Sequence, residues 1–498
     1  MNLQELISYN WGAMLPEIIV IVTIICLMLA DLLIKKQMIR NKFGYAAIIG
    51  ILLSFTSLVV LLPNDTISII NNSFYLDGIS KAFKLILLFG SLLSVLLGME
   101  YKSTKDFEKV RSEYYYLFLF ALLGGMFLAS SNDLIAIFVS IELLSISSFI
   151  LVGIDKNNYK SSEAALKYVI NGSISAGITL FGFSYLYGLT GTTKLQEMAS
   201  FLAVPQSAEV QLLLGIAFLL ILVGLSFKVA TVPFQMWAPD AYEGSSTPVT
   251  AFLSVVSKSA GFILFIRIFY TVFVYTKTGN VEKDNLFEMN QIFIGVLAGI
   301  TMLVGNLAAL RQKNLKRMFA YSSIAHAGYV LAAFSASNAV FSFDAIWFYL
   351  AAYLFMTYGI FAIFQYASYS TGDEQTTALA GLYKSSPALA VAASIFLLSL
   401  AGIPGTVGFI GKLNILTVLL NEPKGHFALA GILLLSTVIS YAYYFRLMAQ
   451  MFFRESNKKS NEKLTLNIKI VLFICLIGTL LLGIYPSLAT DFFHSILY

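Results

Sequence analysis

Fourteen apolar runs follow one another along the 498 residues of this chain, each near the roughly 20 residues that carry a helix across a hydrocarbon core. They lie at about 12–34, 43–63, 78–99, 114–131, 133–154, 162–188, 209–233, 247–275, 291–310, 316–336, 343–370, 385–420, 427–453 and 466–486. Hydrophobic residues make up 58% of the sequence and charged residues 12%, with a mean hydropathy of +0.80. A bilayer admits only structures that satisfy their own backbone hydrogen bonds. The alternating ten-residue strands of a membrane barrel are absent, which leaves helices. The expected fold is all-α and polytopic, with about 14 transmembrane helices and no soluble domain. The first run does not read as a secretory signal, because Glu5 is acidic, nothing basic precedes the run and no small-residue cleavage site follows it.

Loop charge sets the orientation. Lys35, Lys36, Arg40 and Lys42 follow the first segment; Lys102, Lys105, Lys109 and Arg111 the third; Lys156 and Lys160 the fifth. Arg311, Lys313, Lys316 and Arg317 follow the ninth, Lys384 the eleventh, and Arg454, Lys458, Lys459 and Lys463 the thirteenth. These nineteen face four on the opposite side, Lys194, Lys277, Lys283 and Lys424. The positive-inside rule then places both termini outside, periplasmic in a bacterial inner membrane, as an even number of crossings requires. The net charge of +5 reflects this topology and not nucleic-acid binding. The connection 234–246 breaks the pattern, carrying Asp240 and Glu243 and no base, so it is expected to be held by packing or partners.

The middle of the chain reads as doubled. Helices four to eight carry Glu142, then Lys228 near Pro233, then Lys258; helices nine to thirteen carry His326, then Lys412 after Pro404. Units of five helices must lie inverted in the membrane, a recurrent transporter design. The division expected is 1–112, a three-helix segment; 113–275 and 276–453, the two repeats; and 454–498, a cytoplasmic loop with helix fourteen. Pro233 and Pro404 each remove a backbone donor, and Gly402, Gly405, Gly408 and Gly411 surround Pro404. Helices seven and twelve are therefore expected to be interrupted. Open backbone at membrane depth survives only where protein or water covers it, so both breaks should face an internal wet cavity.

Glu142, Lys228, Lys258 and Lys412 stand deep inside apolar runs. Each charge at mid-membrane costs about 2.5–3.5 kcal/mol on insertion scales, and such residues mark ion or proton pathways by default. Ser140, Ser145, Ser147 and Ser148 make the neighbourhood of Glu142 polar, and Ser254, Ser257 and Ser259 that of Lys258. Lysine suits a relay where arginine does not, because arginine keeps its proton. Glu142 is expected to pair with Lys228 and tune it, His326 to shuttle between Lys258 and Lys412, and Lys412 to hold the proton at the end of the second half. A static ion pair or a core histidine is the plainer alternative for each. Tyr321, Ser322 and Ser323 read as helix-packing and hydrogen-bonding residues. Lys81, Lys84, Arg267, Arg446 and Lys469 read as snorkelling side chains near helix ends. Glu163 and Lys167 read as an intrahelical pair, and Asp133 as a helix-start carboxylate.

Other chemistries find no support. Cys26 and Cys475 are too few to ligate an iron–sulfur cluster. No strand precedes a G-x-G-x-x-G. The glycines of 402–412 do not form a phosphate loop, because Thr406 replaces the first required glycine and Leu413 the required Ser or Thr.

Four stretches resemble a known family. Lys228–Ser254 (KVATVPFQMWAPDAYEGSSTPVTAFLS), Leu315–Tyr329 (LKRMFAYSSIAHAGY), Leu400–Lys412 (LAGIPGTVGFIGK) and Ser131–Leu134 followed by Glu142 are similar to helices seven–eight, ten, twelve and five of the antiporter-like membrane subunits of respiratory complex I, the proton-translocating NADH–quinone oxidoreductase. The form of residues 242–250, the lysine at 412 where a second branch has glutamate, and the short sequence after helix fourteen point to one branch of that family. Departures are small: Ser246 stands where proline is usual, and Gly405 where proline often follows Pro404.

The resemblance implies fourteen helices in inverted five-helix repeats. It implies that Glu142/Lys228, Lys258 and Lys412 carry protons, and that neighbouring antiporter-like and small helical subunits are partners. NADH, FMN, iron–sulfur clusters and quinone are expected in those other subunits, with no cofactor and no metal in this chain. Two other functions remain open on the sequence. One is a subunit of a multi-subunit cation/proton antiporter of the same fold, which a carboxylate-rich site would favour. The other is a spacer that no longer pumps, which three retained lysines argue against.

Overall fold

The computed structural model describes residues 9–34, 42–101, 110–274, 286–336, 339–421, 426–455 and 464–497. Several basic positions used to orient the chain, Lys35, Lys36, Arg40, Lys102, Lys105, Lys109, Lys277, Lys283, Lys424, Lys458, Lys459 and Lys463, lie outside them, as does Glu5. The chain opens with α1 (Leu15–Leu33) and α2 (Phe43–Leu61), then a hairpin of β1 (Ile67–Ile69) and β2 (Phe74–Leu76). It continues through α3 (Gly78–Met99), α4 (Arg111–Ser130), α5 (Leu134–Val152), α6 (Tyr159–Thr190), the short α7 (Leu195–Leu202), α8 (Ala208–Val229) and the short α9 (Trp237–Gly244). The helical span α10 (Thr247–Phe273) follows. Then come α11 (Leu286–Leu310), α12 (Leu315–Phe334), α13 (Ala339–Thr371), α14 (Pro387–Ala401), α15 (Val407–Leu420), α16 (Phe427–Phe453), α17 (Leu466–Ile484) and α18 (Ser487–Leu497).

Among the described residues, twelve helical stretches are long and apolar enough to cross a membrane. The other two expected segments are α12, made less apolar by Lys316, Arg317, His326 and its serines, and the pair α14/α15, two half-helices separated by 402–406. The helix starts follow local chemistry. Asp77 accepts from Ser80 N to cap α3, Asp133 from Ile135 N and Ala136 N to cap α5, and Asn314 from Arg317 N to cap α12, each satisfying a backbone donor the helix leaves open. The hairpin pairs Ile67 with Leu76; strands of three residues carry too little pattern to be read from sequence.

Burial grades from centre to rim. All of the most apolar part of α10 and 94% of that of α13 is covered by protein, against 33% for α1 and α6. The central helices, where no lipid is met, are those that carry Lys258 and its neighbours.

The acidic connection is not a loop throughout. Residues 237–244 form α9, clamped by bases from two other helices. Asp240 pairs with Lys167 of α6 at 2.8 Å and Arg317 of α12 at 2.5 Å; Glu243 pairs with Lys160 at 2.9 Å and Arg317 at 3.0 Å. Lys167 keeps its intrahelical pair with Glu163 at 2.7 Å. Burial opposes ionisation of Asp240 and Glu243, but the hydrogen bonds and charges of these bases outweigh it and hold both carboxyls below the usual carboxylate range. Because the folded values are depressed, the clamp's contribution is present above the unfolded carboxylate values near pH 4 and is lost as pH falls through the folded ones. Hydrogen exchange of the 237–244 amides, taken relative to the intrinsic rate at each pH, should stay constant down to about pH 4 and quicken below it. Arg317→Met should quicken it already at neutral pH, by roughly 1 kcal/mol or less of opening free energy, since the partners are half-exposed.

Two side chains expected to snorkel do not. Lys84 is fully buried and meets Glu17 of α1, also fully buried, at 2.5 Å. Arg267 makes a two-pronged contact with Asp77 at 2.6 and 2.7 Å and donates to the Ala129 carbonyl. Both lie where α1, α3, α4 and α10 pack, so they face protein instead of the interface. Lys81 turns back to the carbonyls of Leu62 and Asn64, Arg446 reaches those of Leu310 and Gln312, and Lys469 is exposed, as end-of-helix side chains do.

Candidate functional site

The first cluster lies between α5, α6 and α8. Gly224 lets α6 and α8 touch: a Cβ there would fall 1.9 Å from Thr179 Oγ1, and Ser175 donates to the Gly224 carbonyl at 2.7 Å. Lys228 lies in the last turn of α8, where open carbonyls favour a cation. The helix stops at Ala230, whose positive φ of 60° is uncommon for a residue with a side chain; the Val232–Pro233 peptide is cis. Lys228 Nζ donates to Ser145 Oγ at 3.0 Å. Glu142, one turn earlier on α5 and half-buried, lines the same small cavity. Carboxylate and ammonium thus share a chamber with a serine hydroxyl holding the lysine.

The second cluster centres on Lys258. α10 widens to π-helical winding over Leu253–Ser257, immediately before this residue, a distortion frequent at functional sites. Lys258 Nζ donates to the Ser323 carbonyl at 2.7 Å and to Ser323 Oγ at 2.6 Å. Ser323 also meets the Tyr242 hydroxyl at 3.2 Å, and Ser254 meets Tyr353 at 3.0 Å. Ser323, expected to pack and hydrogen-bond, is the acceptor of Lys258.

His326, one turn along α12 from Ser323, lines the same cavity as Lys258. Its Nδ1 lies 2.6 Å from Tyr349 OH and its Nε2 3.2 Å from Tyr444 OH; Tyr444 in turn meets Ser322 at 2.5 Å. The imidazole is wired to two phenols, one nitrogen donating and the other accepting when it is neutral.

The third cluster is the break in helix twelve. α14 ends at Gly402, with φ of 85°, and Gly405 follows with 87°. Lys412 of α15 donates to the Leu400 and Ala401 carbonyls at 3.0 and 2.9 Å. Its ammonium closes the negative end of the half-helix and stands 4.9 Å from the centre of the Tyr329 ring. Gly402 is fixed twice: by its φ, and because a Cβ would fall 2.9 Å from Lys412 Cδ. The Tyr329 hydroxyl accepts from Asn306 Nδ2 at 3.1 Å and from Ser436 at 3.2 Å.

The structure thus places Glu142 and Lys228 on one cavity, without a direct ion pair between them, and Lys258 and His326 on another. Lys412 sits beyond Tyr329, with no direct hydrogen bond to His326. Among the described residues no hydrogen bond joins the Lys228 and Lys258 clusters either. Between them, Tyr168 packs against Phe227 and its hydroxyl faces that of Ser257, both buried. Such groups are the usual seats of internal water. Tyr349, Tyr353, Tyr444 and Tyr168 are not singled out by the sequence. Tyr349 and Tyr353 do stand four apart on one helix face, the only sequence signal any of them gives.

Residues 131–440 match the family model described as NADH:quinone oxidoreductase/Mrp antiporter, TM. Two similar proteins carry the name NADH-quinone oxidoreductase subunit N. One, from Anoxybacillus flavithermus (strain DSM 21510 / WK1), is 51% identical over 99% of this chain and 98% of its own length. The other, from Geobacillus sp. (strain WCH70), is 49% identical over 99% of this chain and 100% of its own. Among solved structures, a chain of respiratory complex I from Thermus thermophilus with bound aureothin superposes with a TM-score of 0.79 at 29% identity, covering 96% of this chain and 99% of that one.

Proposed function

Because the chain belongs to the NADH:quinone oxidoreductase/Mrp antiporter membrane family, we propose that it carries protons across the membrane as a subunit of an NADH–quinone oxidoreductase. Electron transfer from NADH to quinone takes place in partner subunits, which hold the FMN, iron–sulfur clusters and quinone. Neighbouring antiporter-like subunits and small helical subunits pack against it in the bilayer. Both termini lie on the outer face of the cell membrane, and residues 113–275 and 276–453 act as the two inverted halves.

The observation that carries the reading is Lys258: a central ammonium held by Ser323, in a cavity shared with a histidine. Among the described residues no carboxylate locks it, so its proton can leave. Glu142, Lys228, Lys258, His326 and Lys412 then form the line of proton-holding groups. Ser145 holds the Lys228 ammonium beside Glu142, so that movement or neutralisation of the carboxylate changes the lysine's proton affinity. Tyr349 and Tyr444 flank His326 and offer hydroxyl steps on either side of it. The oxidoreductase reading is favoured over a cation antiporter by the names of the relatives near 50% identity.

Lys228→Ala and Glu142→Ala, each in the assembled complex, should lower proton pumping at least about tenfold, equivalent to about 1.4 kcal/mol on the limiting step, and slow quinone reduction with it. Inverted membrane vesicles report both rates. Unchanged turnover with unchanged protons per quinone would remove the residue from the relay. Purification in mild detergent should recover flavin- and cluster-bearing subunits with this chain; a set of cation-antiporter subunits would overturn the assignment.

A further inference from the structure

A part-buried ion pair and a fully buried one sit side by side near the end of the bundle where α1 and α3 begin, and they are built differently. Arg267–Asp77 is made for permanence: two charge-assisted bonds at 2.6 and 2.7 Å, with the guanidinium also donating to the Ala129 carbonyl, and arginine keeps its proton. Glu17–Lys84 is made otherwise. One carboxylate oxygen lies 2.5 Å from Nζ with both side chains fully buried. The second oxygen has no hydrogen-bond partner. The Phe74 ring lies 4.9 Å from Nζ.

A buried pair without supporting hydrogen bonds recovers little of its desolvation cost, so stability does not explain why it is there. Both residues can exchange protons. The charged groups nearest the pair are Asp77 and Arg267, which neutralise each other.

The pair is also connected. Ser91 and Ser94 share the face of α3 that bears Lys84, at helical spacing, and all three are buried. Ser94 meets the Tyr358 hydroxyl at 2.5 Å; Ser91 Oγ has no partner. The same stretch of α3 lies against the π-wound turn before Lys258: a Cβ on Gly90 would fall 2.6 Å from Val256 Cγ2. From Lys258's neighbour Ser254, the hydroxyl of Tyr353 lies on α13, one turn before Thr357 and Tyr358.

We propose that Glu17 and Lys84 form a further proton-exchanging pair, reached from Lys258 along the hydroxyl face of α3 and opening towards the end of the bundle where α1 and α3 begin. A proton arriving by this route adds to the Glu17 carboxylate, giving a carboxylic acid beside the Lys84 ammonium. Its loss at the membrane surface restores the ion pair, with no other bond made or broken. The proposal rests on the proton-carrying reading above.

The test uses inverted vesicles bearing the whole complex, comparing wild type, Glu17→Gln, Glu17→Leu/Lys84→Met and Lys258→Arg. The double variant keeps apolar volume and removes both charges, so a mere helix staple would survive it. The expected result is normal assembly with protons pumped per quinone reduced lowered at least about twofold. Redox-triggered infrared difference spectra of the complex should show a carboxyl C=O change that is absent in Glu17→Gln and displaced in Glu17→Asp. Full stoichiometry in the double variant overturns the proposal. If the double variant does not assemble, the spectra of wild type and Glu17→Asp decide: an identical carboxyl signal in both overturns it. Should Lys258→Arg pump normally, the parent reading fails; a defect in Lys258→Arg alone defeats only the Glu17–Lys84 pair.

Discussion

Lys258→Arg is expected to lower proton pumping at least about tenfold, with quinone reduction slowed in parallel and the subunit still assembled. The reason lies in what the site can and cannot do for a cation. Lys258 Nζ is held by the carbonyl and hydroxyl of one residue, Ser323. Both are neutral acceptors, and among the described residues no carboxylate contacts the ammonium. That balance lets an ammonium lose its proton, whereas a guanidinium placed there would stay charged. If Lys258 were a structural cation, arginine would serve at least as well, since it donates to a carbonyl and a hydroxyl with more hydrogens to spare. Arginine is therefore the informative replacement, and Lys258→Met its companion: a static role predicts that Arg is tolerated and Met is not, a relay that both fail. Protons per quinone in inverted vesicles, measured alongside subunit content of the purified complex, separates the cases. Wild-type stoichiometry in Lys258→Arg would end the relay reading for this residue.

Much of this arrangement is legible in the sequence because membranes make residue types expensive in a position-dependent way. A lysine amid twenty apolar residues declares itself, and so do Pro404 and its glycines, which end α14 at the point where Lys412 is received. What was not legible are the partners. Ser323 looks like any small helix residue; only the crossing of α10 and α12 turns it into the acceptor of Lys258. Tyr349 and Tyr444 lie in aromatic-rich helices where phenols abound, and nothing in spacing says which of them meet His326. Lys84 and Arg267 were misread for a physical reason. Distance from a helix end measures depth but not direction, and both side chains point into protein, towards carboxylates that open other helices. Glu17 stands in the first turn of α1, where an acid is ordinary and says nothing of its partner. The acidic 234–246 connection violated the charge rule because its bases are supplied by α6 and α12, elements distant in sequence.

The break in helix twelve carries the other large expectation. α14 delivers its C-terminal carbonyls, those of Leu400 and Ala401, to the ammonium of Lys412, and Gly402 folds the chain away at positive φ so closely that a Cβ would touch the lysine. Lys412→Met removes the charge from that negative helix end and leaves two buried carbonyls facing a thioether. Each unsatisfied group costs about 1–3 kcal/mol, so the half-helix should loosen as well as lose its proton site. Pumping is expected to fall at least about tenfold. Lys412→Arg separates the two effects. Its guanidinium can still bond both carbonyls and hold α14, but it cannot release a proton, so the fold is kept and pumping is not. Hydrogen exchange over 398–412 should therefore rise in the Met variant and stay near wild type in the Arg variant, while proton stoichiometry drops in both. If the Arg variant pumps at the wild-type level, Lys412 is the cap of a broken helix, and the line of proton carriers must end at His326.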